Sequence, residues 1–114
     1  MTTTPLEKVA QKQIMEYLTL RGWLVERMNS GKIPAKYGTK TRYISLHRTG
    51  TPDIQALKKA PNGYTEVLYV EVKRPGEKPS DEQLAMHDVL REKAGATVVV
   101  ATSVGDVERL LAIQ

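Results

Sequence analysis

Two charged residues in one strand-like segment, together with an earlier aspartate, are the strongest candidates for chemistry in this sequence. In Val70-Glu71-Val72-Lys73, apolar and charged residues alternate, so Glu71 and Lys73 share one face of a strand. Asp53 lies 18 residues before Glu71, at the mouth of the other arm of a predicted hairpin. Two carboxylates and one ammonium at one spot favour a cation bound between the acids. The alternative is a hairpin edge at which all three side chains are solvated.

The elements that must position these residues follow from periodicity and turn signals. The first half of the chain predicts a helix of about four turns that begins after Thr4 and ends at Gly22, and then a strand over 23–28. Residues 29–41 are mainly Gly, Pro, Lys and Thr, and we interpret them as a long loop that is either mobile or functional. A second strand is predicted over 42–47.

The second half of the chain predicts a hairpin, a helix, a strand and a final helix. Their predicted positions are 53–58 and 64–73 for the hairpin arms, 81–94 for a helix with a Ser80 capping box and a Gly95 stop, 96–102 for a strand covered on both faces, and a last helix after Ser103. A buried strand reached through a helix implies a parallel crossover. We therefore predict an α/β fold, a mixed β-sheet flanked by helices in the order αβββ(β)αβα.

Length and composition restrict the class of protein. A chain of 114 residues predicts one domain over 1–114, and 40% hydrophobic with 26% charged residues is typical of a globular protein. No apolar run approaches the ~20 residues that a bilayer needs, and the first residues do not form a secretory signal. The absence of Cys excludes a disulfide scaffold, cysteine-ligated zinc and a thiol nucleophile. We expect an intracellular, cytoplasmic protein without membrane contact.

The net charge of +4 is distributed unevenly along the chain. Residues 1–20 are neutral, residues 21–60 carry nine basic and two acidic groups, and residues 61–114 carry six basic and nine acidic groups. The middle third would attract a polyanion through counterion release, with an affinity that falls as salt rises. A solvated surface loop explains the same charges equally well.

The order of the motifs resembles a known family. Pro52-Asp53 followed by Glu71-Val72-Lys73 is similar to the PD-(D/E)xK nuclease signature, and its surroundings resemble the VRR-NUC branch. The supporting segments are the helix with Glu7, residues 50–54, 69–73 and 80–83, and Gly95 followed by the 98–100 strand. The resemblance covers nearly the whole chain and implies a restriction-endonuclease-like α/β core.

The resemblance also implies a set of site residues. The implied catalytic residues are Asp53, Glu71, Lys73 and Gln83, and the implied ligands of a Mg²⁺ or Mn²⁺ ion are Asp53, Glu71, the Val72 carbonyl and Glu7. In phosphodiester hydrolysis, Lys73 would orient or deprotonate the attacking water. Glu7 and Gln83 each follow a Thr or Ser by three residues, so a capping box alone would also explain them. His87 is interpreted as a surface helix residue rather than a proton donor, and His47 as either a phosphate contact or a strand-end residue.

We expect the partner to be duplex or branched DNA. The residues that would contact its phosphates are Lys32, Lys36, Lys40, Arg42, Arg48 and Arg74. Six aromatic residues and no Phe argue against a stacking platform for single strands. Because short members of the group resemble dimeric four-way-junction resolvases, we expect a metal-dependent deoxyribonuclease that cleaves Holliday junctions as a homodimer. The alternatives are a flap or other branched-DNA nuclease, a catalytically inactive DNA-binding module, and an interaction protein.

Overall fold

The computed structural model describes residues 5–28, 32–45 and 48–112, which form three helices and six strands. In chain order these are α1 (Pro5–Leu20), β1 (Leu24–Arg27), β2 (Lys32–Tyr37), β3 (Lys40–Ser45), β4 (Ile54–Lys59), β5 (Thr65–Val72), α2 (Asp81–Ala94), β6 (Thr97–Ala101) and α3 (Val104–Ala112). None of these helices is both long enough and apolar enough to cross a membrane.

Four of the strands form a mixed sheet in the order β1-β4-β5-β6. β4 pairs antiparallel with both β1 and β5, whereas β5 pairs parallel with β6. The parallel pair is reached through α2, because parallel neighbours need a crossover connection. The α/β fold predicted from the sequence, a mixed sheet flanked by helices, is therefore confirmed.

The hydrophobic core lies between one face of this sheet and the helices α1 and α3. Its β5 members are Leu68, Val70 and Val72, which alternate along the strand and pack with Ile14 of α1 and Val107 of α3. Because successive strand residues point to opposite faces, Glu71 and Lys73 lie on the other side of the sheet. The core thus fixes which face of β5 carries the charged residues.

Local signals set the ends of α2. The Ser80 hydroxyl accepts a hydrogen bond from the Gln83 N–H (3.1 Å), and the Gln83 side-chain oxygen accepts one from the Ser80 N–H (2.8 Å). Gly95 ends the helix in the left-handed region with φ of 65°, which costs glycine little. The predicted capping box and stop are both present. The corresponding cap predicted for α1 involves Thr4, which lies outside the described residues.

Two details of the predicted strands are wrong. The expected loop over 29–41 contains strand β2, which pairs antiparallel with β3 through a tight turn at Gly38 (φ of 64°). Pro and Lys concealed this strand because they are rare in strands, whereas cross-strand pairing overrides such weak local preferences. β6 is not covered on both faces, since Val100 is 38% exposed.

The β2–β3 hairpin forms a separate two-stranded sheet. Within the described ranges, its two strands contact each other and no other helix or strand. A lone hairpin gains little stability from its own contacts in water. The side chains that are exposed on the hairpin are available to a binding partner.

Candidate active site

Asp53 lies immediately before β4 and is fixed on two sides. Its backbone carbonyl accepts a hydrogen bond from the Met28 N–H at 2.7 Å, which extends the pairing of β1 with β4. Its carboxylate Oδ2 accepts a hydrogen bond from the Val72 N–H, also at 2.7 Å. The side chain is thereby tied to the end of β5, one residue from both Glu71 and Lys73.

The loop before Asp53 packs closely against the first turn of α2. Gly50 has φ of 87°, and a Cβ at this position would lie 2.6 Å from the Glu82 carbonyl oxygen. Only glycine tolerates both the conformation and the contact. Pro52 in the same loop is buried. This close approach brings the Asp53 loop and the start of α2 to the same end of the sheet.

Glu71 is the buried centre of the site, with 2% of its surface exposed. Burial raises its pKa to about 8, and the neighbouring Asp53 carboxyl adds to this shift through its charge and a hydrogen bond. The nearby Lys73 ammonium opposes the shift. In the absence of a cation, Glu71 therefore carries a proton at neutral pH.

Lys73 follows β5 and is also buried, with 7% of its surface exposed. Its N–H donates a hydrogen bond to the Ala101 carbonyl at 2.9 Å, which extends the parallel pairing with β6 by one residue. The structure thus brings Asp53, Glu71 and Lys73 to one place, as the motif spacing predicts. Their catalytic role remains a prediction.

Glu7, in the first turn of α1, faces this site. Its side chain is 17% exposed, and its charge adds to the rise in the Glu71 pKa. Its Oε1 lies 3.8 Å from the Arg74 Nε, and the Arg74 guanidinium also pairs with Glu77. Arg74, predicted to bind DNA, therefore lies between two carboxylates beside the site.

Gln83 takes part in the cap of α2 and also contacts Glu71. Its side-chain oxygen completes the capping box with Ser80, while its amide nitrogen lies 3.5 Å from Glu71 Oε2. The cap orients the amide so that its N–H groups point towards the buried carboxyl. One side chain therefore both caps the helix and contacts Glu71.

His87 is buried, with 1% of its surface exposed, so its interpretation as a surface residue is wrong. Its Nε2 lies 3.2 Å from Glu71 Oε1. Burial, followed by the charge of Arg91, lowers the His87 pKa, so the imidazole is neutral at physiological pH. The i, i+4 spacing from Gln83 places both side chains on one face of α2, and this was the signal available in the sequence.

Apart from Arg74, the basic residues predicted to bind DNA lie on the β2–β3 hairpin or in the loop before Asp53. Lys36, Lys40 and Arg42 are exposed on the β2–β3 hairpin, and Arg48 is exposed two residues before Gly50. Lys32 is the first residue of β2. His47 lies outside the described residues. The structure therefore places exposed basic residues on the hairpin, outside the cluster of Asp53, Glu71 and Lys73.

Comparisons with known proteins give the family and the fold of the chain. A family model described as the VRR-NUC domain matches residues 7–105. The chain belongs to the VRR-NUC domain family. A solved structure described as a VRR-NUC domain has 28% sequence identity and a TM-score of 0.64, over 96% of this chain and 97% of that chain. No curated protein matches the chain. The VRR-NUC domain has a nuclease-type fold of the PD-(D/E)xK superfamily, so membership suggests nuclease activity with DNA as substrate.

Proposed function

We propose that this VRR-NUC protein is a metal-dependent, structure-selective DNA endonuclease that cleaves four-way (Holliday) junctions as a homodimer. The observation that carries the proposal is a pair of adjacent carboxyls, the partly exposed Asp53 and the buried Glu71, with the buried Lys73 beside them. Two adjacent carboxylates repel each other unless a proton or a cation lies between them. An acidic pair with a lysine beside it provides the groups that hydrolysis of a phosphodiester requires.

The chemistry of the donors fits Mg²⁺ or Mn²⁺. Mg²⁺ is usually held by one or two carboxylates and completes its coordination with water and substrate phosphate. Asp53 and Glu71 would supply these carboxylates and Val72 its carbonyl, while Glu7 would add negative charge from the α1 side. Among the residues that the structure describes, no three acidic or histidine side chains converge into an all-protein cation site. A hydrated ion that also binds substrate phosphate suits such a set of donors.

Each residue of the site would have a distinct part in the reaction. A bound Mg²⁺ or Mn²⁺ would neutralise phosphate charge, stabilise the leaving oxygen and acidify water. Asp53, held by the Val72 N–H, fixes one negative oxygen at the end of β5. Lys73 would orient the attacking water through its N–H groups or, in its neutral form, accept the proton of that water. Gln83 would keep Glu71 in place.

Metal binding is expected to strengthen with pH. Because the pKa of Glu71 is raised from 4.5 to about 8, an ion must displace its proton below about pH 8. The apparent affinity should then rise roughly tenfold per pH unit and level off near that pKa. The same shift makes the metal-free protein less stable as pH rises from 4.5 towards 8, because ionised Glu71 is disfavoured in the fold.

Calorimetric titration with Mn²⁺ at about pH 6 and about pH 8, in two buffers of different ionisation enthalpy, measures both the affinity and the protons released. Glu71→Gln is the control, because it cannot release this proton and should bind weakly with little pH dependence. Equal affinity of the parent protein at both pH values would contradict this linkage.

The β2–β3 hairpin is proposed to contact the phosphates of a DNA arm. From residue 27 to residue 52 the chain has six basic residues and no acidic one. The hairpin contacts no other described helix or strand, and Lys36, Lys40 and Arg42 are exposed on it. A two-stranded β-ribbon fits into the major groove of B-DNA. Phosphate contacts of this kind position DNA without reading its sequence.

A double variant in which glutamine replaces both Lys36 and Lys40 is expected to bind DNA more weakly, and its affinity should depend less on salt. Removing one lysine that neutralises a phosphate should reduce the slope of log affinity against log salt by roughly 0.9. Fluorescence anisotropy with a labelled duplex at several salt concentrations measures this slope. Lys93→Gln, about 15 Å along α2 from Gln83, is the matched control. An unchanged slope in the hairpin variant would exclude these phosphate contacts.

A homodimer follows from the substrate, because two symmetric cuts in a junction need two active sites. One chain contributes one Asp53–Glu71 pair among its described residues. Light scattering measures the mass of the complex of the protein with junction DNA. We expect the protein part of this mass to be twice the 12.7 kDa of one chain. One protein chain per junction would contradict the dimer.

The substrate proposal is tested by comparing labelled four-way junction, flap, duplex and single-stranded DNA at equal salt in Mg²⁺. We expect the junction to be cut fastest, with paired incisions in opposite strands. Faster cutting of the flap would make the protein a flap nuclease, and cutting of all substrates at one rate would contradict structure selectivity.

A further inference from the structure

His87 is a buried polar residue that the reaction proposed above does not use. It lies in the middle of α2, and its Nε2 is 3.2 Å from Glu71 Oε1. The other oxygen of the same carboxyl, Oε2, lies 3.5 Å from the Gln83 amide nitrogen. Two side chains of one helix face therefore hold the two oxygens of one carboxyl.

The position of α2 relative to Glu71 is itself fixed. The Ser80 capping box sets the start of the helix, and Gly50 lies against the Glu82 carbonyl without room for a side chain. His87 is one turn further along the helix than Gln83. The histidine therefore contacts Glu71 from a helix whose position is fixed. The buried Glu71 carboxyl has little freedom to rotate away from His87.

We propose that His87 is a positioning residue of the nuclease site. Its imidazole fixes the orientation of the Glu71 carboxylate, so that the remaining lone pairs of this carboxylate point towards Asp53 and a bound divalent cation. The inference rests on the proposed metal-dependent function. Residues that hydrogen-bond a metal-ligating carboxylate orient it, and their loss typically lowers metal affinity 10- to 100-fold.

A purely structural role would require only that His87 fill space beneath the sheet. Leucine fills a similar volume but cannot hydrogen-bond to Glu71, whereas glutamine keeps an N–H donor about as far from the backbone as Nε2. The two roles therefore predict different Mn²⁺ affinities for the two variants. If His87 only fills space, His87→Leu should bind Mn²⁺ at least as tightly as His87→Gln. If His87 orients the carboxylate, His87→Gln should bind more tightly.

The test measures Mn²⁺ affinity of the DNA-free protein by calorimetry, together with the melting temperature and the metal concentration that gives half-maximal cleavage. We expect His87→Leu to bind Mn²⁺ roughly 10- to 100-fold more weakly, and His87→Gln to recover most of this loss. Val107→Ala, a truncation in the core far along the chain, controls for loss of stability. It should lower the melting temperature and leave Mn²⁺ affinity unchanged.

Unchanged Mn²⁺ affinity in His87→Leu would overturn the positioning role. Equal loss in His87→Leu and His87→Gln would also overturn it, because the hydrogen bond would then not matter. If His87→Leu does not fold, His87→Asn takes its place. The asparagine side chain is one bond shorter than that of glutamine, so its amide should not reach Glu71, and Mn²⁺ affinity should again fall. A parent protein that binds no divalent cation would instead reject the proposed function, so the two failures are distinguishable.

Discussion

Replacing Lys73 with methionine is expected to slow cleavage of bound DNA by roughly 10²- to 10⁴-fold, the usual contribution of a positioned proton-transfer group. Methionine occupies much of the same buried volume but can neither orient nor deprotonate a water. Lys73 is 7% exposed, so it has little surface with which to bind DNA. The loss should therefore appear in the rate of the bound complex and leave affinity nearly unchanged. A single-turnover rate at saturating protein measures it.

Lys78→Met is the matched control for this variant. Lys78 is an exposed lysine between β5 and α2, five residues after Lys73. Its replacement should leave the single-turnover rate close to that of the parent protein. If Lys73→Met cleaves at the parent rate, the lysine is structural and the proposed role of Lys73 is wrong.

Replacing Asp53 with asparagine is expected to remove cleavage while preserving the fold. The asparagine side-chain oxygen can still accept the hydrogen bond from the Val72 N–H that Asp53 Oδ2 accepts at 2.7 Å. The negative charge that would hold the cation is lost. Because metal catalysis contributes several kcal/mol, the rate should fall roughly 10³-fold or more. Single-turnover cleavage and the melting temperature are measured on the same sample.

Asp53→Ala separates the two functions of this side chain. Alanine removes both the charge and the acceptor for the Val72 N–H, and a buried backbone donor without a partner costs roughly 1–3 kcal/mol. Asp53→Ala should therefore melt at a lower temperature than Asp53→Asn, although both are inactive. Equal melting temperatures would mean that the hydrogen bond to Val72 adds no stability.

The sequence predicts those parts of the fold that local chemistry determines. The ends of α2 follow from a capping box and a glycine, and both depend on residues within a few positions of each other. The parallel β5–α2–β6 unit follows from an apolar strand reached through a helix. Asp53, Glu71 and Lys73 come together because a hairpin with a short turn fixes its own register.

The features that the sequence did not predict depend on contacts between distant segments. Strand β2 contains Pro34 and two lysines, and only pairing with β3 reveals it. His87 is polar and lies on an ordinary helix, and its burial depends on the packing of α2 beside Glu71. For Gln83 the sequence offered a cap and an active-site contact as alternatives. In the structure one amide group caps α2 through its oxygen and contacts Glu71 through its nitrogen.

If Asp53 and Glu71 form a metal-dependent site for phosphodiester cleavage, cleavage should require both the Asp53 carboxylate and a divalent cation. The most direct test is single-turnover cleavage of an end-labelled four-way junction by the parent protein and by Asp53→Asn, each with Mg²⁺ and with a chelator, at protein concentrations that give equal junction binding. We predict cleavage only by the parent protein with Mg²⁺. Cleavage by Asp53→Asn at the parent rate, or by the parent protein in chelator, would show that Asp53 and Glu71 do not form a metal-dependent site.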